Sequence, residues 1–391
     1  MTAPLAGLRV LELARILAGP WIGQTLADLG ADVVKVEAPE GDDTRRWGPP
    51  FIRRGEDLEA AYFHCCNRGK RSVIADFRAP AGQKLVCALA GRSDVLIENF
   101  KVGGLAKYGL DYESLHALNP RLIYCSVTGF GQSGPKAGHA GYDLMIQGMS
   151  GVMDLTGDPA GPPQKLGVAF ADIFTGTYGV IAIQAALAQR ERTGIGQHVD
   201  MALLDTMVGV LGNQALNYLV TGDVPHRLGN AHPNIVPYQV FEVRDGHVIV
   251  AVGNDSQFRQ FCTVLKRPEL APDPRFLTNA DRVGNRKILV DIISIALRDF
   301  TRADLLAALE TRGVPCGPIN SVAEAFAEPQ VLARGLRVDL AAPEVPGGLI
   351  PSVRTPIVFS DADLALQRPA PRLGEHTDEV MQELGISSDK L

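Results

Sequence analysis

Asp172 is the residue whose position most directly suggests chemistry. It lies in the segment GVAFADIFTGTYG, where a long apolar helix is predicted to begin. Burial of a carboxylate costs free energy, and the unpaired N–H groups at a helix start offset only part of it. A carboxylate that stays ionised in a dry site is a competent nucleophile. The same position equally suits an aspartate that only caps the helix.

Two further groups of polar residues could take part in such chemistry. Tyr142 and Asp143 open the apolar segment GYDLMIQG, where they could also form an ordinary helix start with a core aromatic residue. Arginine binds phosphates and carboxylates through two parallel hydrogen bonds, although a surface arginine is more often a solvated charge. The candidates for such binding are Arg45, Arg46 and Arg71.

Several other kinds of site are excluded by residue spacing. The sequence contains no HExxH, no CxxC and no GxSxG motif, so neither a metal site nor a serine nucleophile elbow is predicted. Residues 129–134 match GxGxxG after a predicted strand. However, Pro135 and Gly138 follow where a dinucleotide site requires a helix to begin. We therefore interpret this segment as a loop.

Short strands that alternate with helices must position these residues. Strands are predicted at 8–13, 32–37, 72–76, 94–98 and 122–127. Helices are predicted between them at 22–29, 80–90 and 112–118. This alternation indicates an α/β fold with a doubly wound parallel sheet. Two long apolar helices are expected to follow, at about 172–190 and 202–220.

A smaller α+β unit is predicted to begin near Gly222. Residues 222–237 are rich in proline and glycine, and a hairpin is predicted across the Asp245 and Gly246 pair. Helices are expected to follow at about 256–266, 281–297 and 302–312. Residues 313–371 are again rich in proline and glycine, and a last helix is expected at about 376–384.

Composition narrows the class of protein. The chain has 391 residues, of which 46% are hydrophobic, enough to form a large core without disulfides or a structural metal. Its net charge of −6, with no long basic run, argues against nucleic-acid binding. The first residues do not resemble a signal peptide, and the most apolar window is short for a membrane span. We therefore expect a cytoplasmic protein with reduced cysteines and no membrane partner.

The order and spacing of several motifs resemble the class III CoA-transferase family (CaiB/BaiF type) from about residue 4 to 385. The matching stretches include LAGP, DLGADVVKVE, NRGKRS, GYD, the segment around Asp172, GVPCGP and LGEHT. The resemblance implies a Rossmann-like large domain built from both chain ends, a small domain, and two chains interlocked as a homodimer. The large domain would then comprise 1–221 and the returning segment 331–391, with the small α+β domain at 222–330.

The resemblance also implies a covalent mechanism in which Asp172 is the nucleophile. Aspartyl anhydride and aspartyl-CoA thioester intermediates would alternate on this residue. The substrates would be an acyl-CoA and a small carboxylic acid, with CoA as substrate and no permanently bound cofactor. The CoA contacts implied by the family are Leu17, Ala18, Ala75, Arg78, Asn99, Phe100, Lys107 and Tyr142. Ala38 replaces a family arginine, so Lys35, Arg78 and Lys101 are the candidates for a phosphate contact.

Two departures from other family members narrow the expected substrates. Racemases of the family have a histidine where Tyr142 stands, and a phenol with a pKa near 10 is a poor base for proton exchange. The glycine-rich insertion of the formyl-CoA transferases is absent between Tyr238 and His247, which makes oxalate doubtful. Stretches such as GDDTR, IVPYQ and AEPQVL are most similar to succinyl-CoA:dicarboxylate transferases of the glutarate or hydroxymethylglutarate type.

We therefore expect transfer of CoA from succinyl-CoA to a small dicarboxylate or an analogue. A cationic group should then bind the far acid group, and the candidates are Arg45, Arg46 and Arg71. Two alternatives stay open: a 2-methylacyl-CoA racemase with the same fold, and a CoA-binding protein without catalytic activity.

Overall fold

A computed structural model describes residues 2–386. The strands in chain order are β1 (Arg9–Glu12), β2 (Asp32–Glu37), β3 (Phe51–Arg54), β4 (Asp57–Ala60), β5 (Arg71–Ile74), β6 (Val95–Glu98), β7 (Ile123–Thr128), β8 (His198–Ala202), β9 (Tyr238–Val243), β10 (Gly246–Ala251), β11 (Cys316–Pro318), β12 (Arg337–Ala341) and β13 (Leu349–Val353).

The helices lie between and after these strands. They are α1 (Ala18–Asp28), α2 (Ala61–His64), α3 (Pro80–Ala90), α4 (Tyr112–Leu118), α5 (Asp143–Met149), α6 (Val152–Leu155), α7 (Phe170–Thr193), α8 (Leu203–Gly209), α9 (Asn213–Thr221), α10 (Asp255–Val264), α11 (Asn279–Gly284), α12 (Arg286–Leu297), α13 (Arg302–Thr311), α14 (Val322–Ala327), α15 (Pro329–Ala333) and α16 (Thr377–Leu384).

Six strands form one parallel sheet in the order β5-β2-β1-β6-β7-β8. The predicted α/β fold with a large parallel sheet is therefore confirmed, and five of its strands lie where the sequence placed them. The sixth strand, β8, was not predicted from the sequence. It lies at the sheet edge and is only partly buried, so its sequence HVDMA lacks the apolar run of a central strand.

Helices pack on both faces of this sheet. On one face, Ile22 of α1, Ile183 of α7 and Met207 of α8 join a single buried cluster with the strands. On the other face, Leu85 of α3 and Val380 of α16 belong to a second cluster. The C-terminal helix therefore packs in the same unit as the first strands of the chain.

The chain divides into two compact units. The first comprises 2–152, Lys165–Asp223 and 332–386, and it contains the parallel sheet. The second comprises Met153–Gln164 and Val224–Val331, in which the antiparallel strands β9, β10 and β11 pack with α10, α12 and α13. The sequence gives no sign that Met153–Gln164 belongs to the second unit.

Three of the predicted helices differ clearly from those in the structure: one begins earlier, and two are each divided in two. Helix α1 begins four residues earlier, because Pro20 is tolerated in a first turn whose N–H groups lack intrahelical acceptors. The expected helix over 202–220 is two helices, α8 and α9, separated around Gly212, which has a φ of 57°. The expected helix over 281–297 is likewise divided into α11 and α12.

Helix α7 is the one helix of the described residues that is long and apolar enough to cross a membrane by length and composition. One face of it is buried against the sheet and α1, through residues that include Ala171, Gly179 and Ile183. This packing is that of a core helix, as the sequence predicts.

Two glycines allow α7 to pack very closely against α1. A Cβ atom on Gly176 would lie 2.9 Å from the carbonyl oxygen of Ala18 and 2.9 Å from Trp21 Cβ. A Cβ atom on Gly179 would lie 2.5 Å from Ile22 Cδ1. Because backbone atoms cannot move aside as a flexible side chain can, the position of Gly176 is the more restrictive.

We expect Gly176→Ala to lower the free energy of unfolding by about 1–3 kcal/mol, because the added methyl group forces α1 and α7 apart. Urea denaturation measures this change. Gly209→Ala is the matched control, since Gly209 also lies in a helix of the first unit and its Cβ would meet nothing within 4 Å. Equal stability of the two variants would contradict the expectation.

Candidate active site

A cavity of about 260 Å³ lies at the carboxyl ends of β1, β6 and β7. It is lined by residues of the turn after β1, of the loop after β6, of the end of β7 and of the segment before α5, together with Asp172 and Leu203. Strands β1 and β6 are neighbours, although the chain order reverses between them. Parallel sheets bind ligands in the crevice at such a reversal.

Seven of the residues named from the sequence come together at this cavity: Leu17, Ala18, Asn99, Phe100, Lys101, Tyr142 and Asp172. Ala75, Arg78 and Lys107 do not line it. Phe77, which precedes Arg78, packs edge-to-face on Phe100 and on Tyr108, with ring centroids 5.5 Å apart in both pairs. The sequence neighbour of Arg78 therefore contacts Phe100 of the cavity wall, and Tyr108, the neighbour of Lys107, contacts Phe77 behind it.

The Asp172 carboxylate lies in the first turn of α7 and has no hydrogen-bonding or ion-pair partner among the described residues. Its burial and the negative charge of Asp143 raise its pKa to about 7. About half of these carboxyl groups are then ionised at neutral pH, and no local donor stabilises their charge. A carboxylate of this kind can act as a nucleophile or as a base.

Asp143 fixes the start of α7 against α5. Its Oδ1 accepts a hydrogen bond from the backbone N–H of Ala171 at 2.8 Å, and its Oδ2 accepts one from Gln147 at 2.7 Å. Gln147 in turn accepts a hydrogen bond from the backbone N–H of Leu166 at 2.9 Å. The sequence marks Tyr142 and Asp143 as a helix start, whereas the contact of Asp143 with the start of α7 is visible only in the structure.

Two aromatic side chains lie near this acidic pair. Tyr142 precedes α5 and has an exposed ring. Burial raises the pKa of Tyr62, and the charge of Asp172 adds to this rise, so the phenol stays protonated. The ring of Trp47 packs edge-to-face on Tyr62 with centroids 5.4 Å apart. Sequence reasoning missed Tyr62, since no local motif marks it.

The three arginines suggested by the sequence do not line the cavity. Arg45 is buried, its guanidinium donates to Glu37 and Glu59, and it lies 3.7 Å above the Phe63 ring. Arg71 donates to three carboxylates, those of Asp32, Glu379 and Glu383. Arg46 is exposed, 3.7 Å from Asp43.

The cations at the cavity are two other residues: Arg15, which the sequence did not single out, and Lys101, already a candidate for a phosphate contact. Arg15 and Lys101 both line the cavity. Arg15 donates to Asp43 at 3.1 Å, and its guanidinium carbon lies 5.7 Å from the centre of the Phe100 ring. Lys35, one of the candidates for a phosphate contact, is fully buried between Glu12 and Asp42 and is unavailable to a ligand. The signal for Arg15 was its place directly after the first strand.

The described residues contain no cluster of His, Cys, Asp or Glu side chains that could hold a metal ion. What the cavity does contain is a carboxylate without a partner, the start of α1 and two cations, Arg15 and Lys101. The first of these could form a covalent bond with an electrophilic carbonyl, and the cations could bind anionic groups.

A family model described as CoA-transferase family III matches residues 5–377. The chain belongs to this family. The CoA-transferase family resemblance read from the motifs is thus confirmed, and the protein is a class III CoA-transferase.

Named relatives are similar over nearly the whole chain. A succinate–glutarate CoA-transferase of Agrobacterium fabrum is 60% identical over 97% of this chain and 96% of its own length. A human succinyl-CoA:glutarate CoA-transferase is 42% identical over 97% of this chain and 86% of its own length. A crystal structure of a CaiB/BaiF family protein from Brucella suis is 61% identical, with a TM-score of 0.87 over 98% of this chain and all of that one.

Turnover by this family III enzyme should depend on the ionisation of Asp172. If Asp172 is the nucleophile, only its ionised form can attack, so kcat/KM should rise with pH and level off above its pKa of about 7. Below it, the rate should fall about tenfold per pH unit. A flat profile between pH 5.5 and 8.5 would contradict this assignment.

Asp143→Asn tests the cause of the raised pKa. The variant removes the negative charge but keeps an oxygen that can accept from Ala171, so the inflection of the kcat/KM profile should move to lower pH. Asp223→Asn, which removes an exposed carboxylate elsewhere in the first unit, serves as the control and should leave the profile in place.

Proposed function

We propose that the protein transfers CoA from succinyl-CoA to a small dicarboxylate, with glutarate as the first candidate, through a covalent intermediate on Asp172. The observation that carries the proposal is the unpartnered carboxylate at the start of α7, in a cavity at the strand-order reversal of the sheet. The names of the relatives with 60% and 42% identity support this donor and this acceptor.

The reaction would run in four steps on one carboxylate. Asp172 attacks the thioester carbonyl of succinyl-CoA, the C–S bond breaks, and CoA thiolate leaves a succinyl–aspartyl anhydride. The thiolate attacks the aspartyl carbonyl, releases succinate and forms an aspartyl-CoA thioester. The acceptor carboxylate then displaces the thiolate to form a second anhydride. Finally the thiolate attacks the acceptor carbonyl, which releases the new acyl-CoA and restores the Asp172 carboxylate.

The geometry suits this sequence of steps. The steps need no net proton transfer, so a carboxylate without a neighbouring acid or base is sufficient. The anhydride of Asp172 with succinate and its anhydride with the acceptor acid have similar reactivity. Because one thioester is exchanged for another, the whole reaction has little net free-energy cost. Water would hydrolyse the intermediates, so the partial burial of Asp172 favours these steps.

The cations of the cavity would bind the anionic parts of the substrates. Arg15 and Lys101 are the candidates, since Arg45 and Arg71 already bind carboxylates of the chain itself. Arg46 keeps an exposed guanidinium and stays a third candidate. The CoA contacts at Ala75, Arg78 and Lys107 belong to the same proposal, although these residues do not line the cavity.

We also place the enzyme in the cytoplasm as an interlocked homodimer. Exposed apolar side chains on two helices support a partner chain that would cover them. Leu219 and Val220 of α9 are 72% and 79% exposed, and Ile181 of α7 is 57% exposed.

Asp172→Asn tests the central step. Purified enzyme with succinyl-CoA and glutarate should form glutaryl-CoA, measured by mass spectrometry, and the variant should lose about 10³-fold or more of this activity. Asp205→Asn is the matched control, because Asp205 is also an acidic residue in the first turn of a helix. Hydroxylamine added during turnover should convert Asp172 to a hydroxamate.

The same assay separates the alternatives. Incorporation of deuterium at Cα of a 2-methylacyl-CoA without an acceptor acid would indicate a racemase. Binding of CoA without exchange across C2 to C6 dicarboxylates would indicate a protein without catalytic activity. Retained transfer in Asp172→Asn would rule out the covalent mechanism.

Arg15→Ala tests how the far acid group is bound. If Arg15 binds that group, KM should rise about 10- to 100-fold for glutarate and change little for butyrate, which lacks the second carboxylate. An equal rise for both acids, or a rise only for succinyl-CoA, would assign Arg15 to the CoA phosphates instead. Arg121→Ala, at an exposed site outside the cavity, is the control.

A further inference from the structure

The turn between β1 and α1 contains a backbone conformation that its residue type disfavours. Ile16 has a φ of 73°, in the left-handed region. For a β-branched residue this conformation is a true outlier, because the side chain crowds the backbone carbonyl. Arg15, Ile16, Leu17 and Ala18 all line the cavity that contains Asp172, so the outlier is part of the candidate active site.

Side chains from distant parts of the sequence hold this turn. The Asp42 carboxylate accepts a hydrogen bond from the Ile16 N–H, with its oxygens at 3.3 and 3.4 Å. Asn99 accepts from the N–H of Arg15 at 2.9 Å and donates to its carbonyl at 2.6 Å. The Cys66 thiol donates to the carbonyl of Ile16 at 3.5 Å. A strained residue persists only where its surroundings fix it in this way.

Asp42 is itself held rigidly. Its side chain is buried, 3.0 Å from Lys35 Nζ, and it accepts hydrogen bonds from the backbone N–H and the hydroxyl of Thr44 at 3.0 and 2.7 Å. Burial would raise its pKa, but the charge of Lys35 and the Thr44 hydrogen bonds lower it to about 2. The anchor of the Ile16 N–H is therefore charged at every pH at which the enzyme would act.

We propose that Asp42 is a positioning residue of the transferase. It does not line the cavity; it holds Ile16 in the left-handed conformation and so fixes the cavity wall from Arg15 to Ala18 against which acyl-CoA binds. The inference rests on the proposed function. This role differs from a general structural role in one respect. The hydrogen bond from the Ile16 N–H to Asp42 is needed only because residue 16 is not glycine.

Replacement of Ile16 by glycine provides the test, because glycine adopts positive φ without an anchor. Asp42→Asn should raise the Kd for CoA and lower kcat/KM about 10- to 100-fold. The double variant Asp42→Asn with Ile16→Gly should recover at least half of that loss on a logarithmic scale. The double variant with Ile16→Val is the matched control and should recover nothing, since valine is also β-branched.

Stability separates positioning from a purely structural role. Asp42→Asn also weakens the ion pair with buried Lys35, so it should lower the urea midpoint, and Ile16→Gly should not restore that midpoint. If Asp42→Asn does not fold, Thr44→Val removes one hydrogen bond to Asp42 and should give a smaller, few-fold loss that Ile16→Gly again reverses.

Two results would overturn the inference: wild-type CoA binding and turnover in Asp42→Asn, or equal impairment of Asp42→Asn with and without Ile16→Gly. CoA binding measured by calorimetry decides the matter even if the wild-type enzyme transfers no CoA between acids. In that case the proposed function fails, while the pattern of Kd values among the variants still supports or refutes the role of Asp42.

Discussion

The candidate active site depends on one constraint: buried charged side chains on the first two strands and the loop after them must be paired with one another. Lys35 Nζ, on β2, lies 3.1 Å from Glu12 of β1, 3.0 Å from Asp42 and 2.7 Å from the carbonyl of Ala14. An unpaired buried charge is strongly destabilising, so the strands and the following turns must pack in the one register that brings these groups together. The turn that begins α1, and the close contact of α1 with α7, both follow from this register.

Two aspartates of the same unit, of which Asp42 is buried and Asp172 is partly buried, show how the surroundings of a carboxyl group set its pKa. Asp42 lies among donors and a lysine, and its pKa falls to about 2. Asp172 lies near another carboxylate and has no partner among the described residues, and its pKa rises to about 7. Asp42 is therefore held as an anion, whereas the ionised form of Asp172 is only weakly stabilised. Asp143 contributes to both geometry and charge, because it caps the start of α7 and repels Asp172.

The same rule explains why the most conspicuous arginines are not at the cavity. A guanidinium already bound to carboxylates within the chain, as in Arg45 and Arg71, has few donors left for a ligand. Arg15 and Lys101 instead extend from the turns at the carboxyl ends of β1 and β6. Under the proposed function, a dicarboxylate and the phosphates of CoA would bind to the cations of these two turns. Parallel sheets generally bind ligands at loops that follow the carboxyl ends of their strands.

Local pattern in the sequence was sufficient for the parallel sheet, for Asp172 at a helix start and for membership of the CoA-transferase family, because strand alternation, apolar periodicity and motif order are properties of neighbouring residues. Only the tertiary structure shows which charged side chains are available to bind a ligand. Arg71 is paired with Glu383, more than 300 residues away. Asp42 accepts a hydrogen bond from the N–H of the strained Ile16, and Asn99 bonds the backbone of Arg15 beside it. The edge strand β8 and the division between α8 and α9 also become visible only in the structure. Partly buried residues do not give the sequence a regular apolar pattern. Ion pairs and a strained backbone depend on partners that only folding brings together. Residue spacing alone therefore could not predict which charged side chains are available or where the strained residue lies.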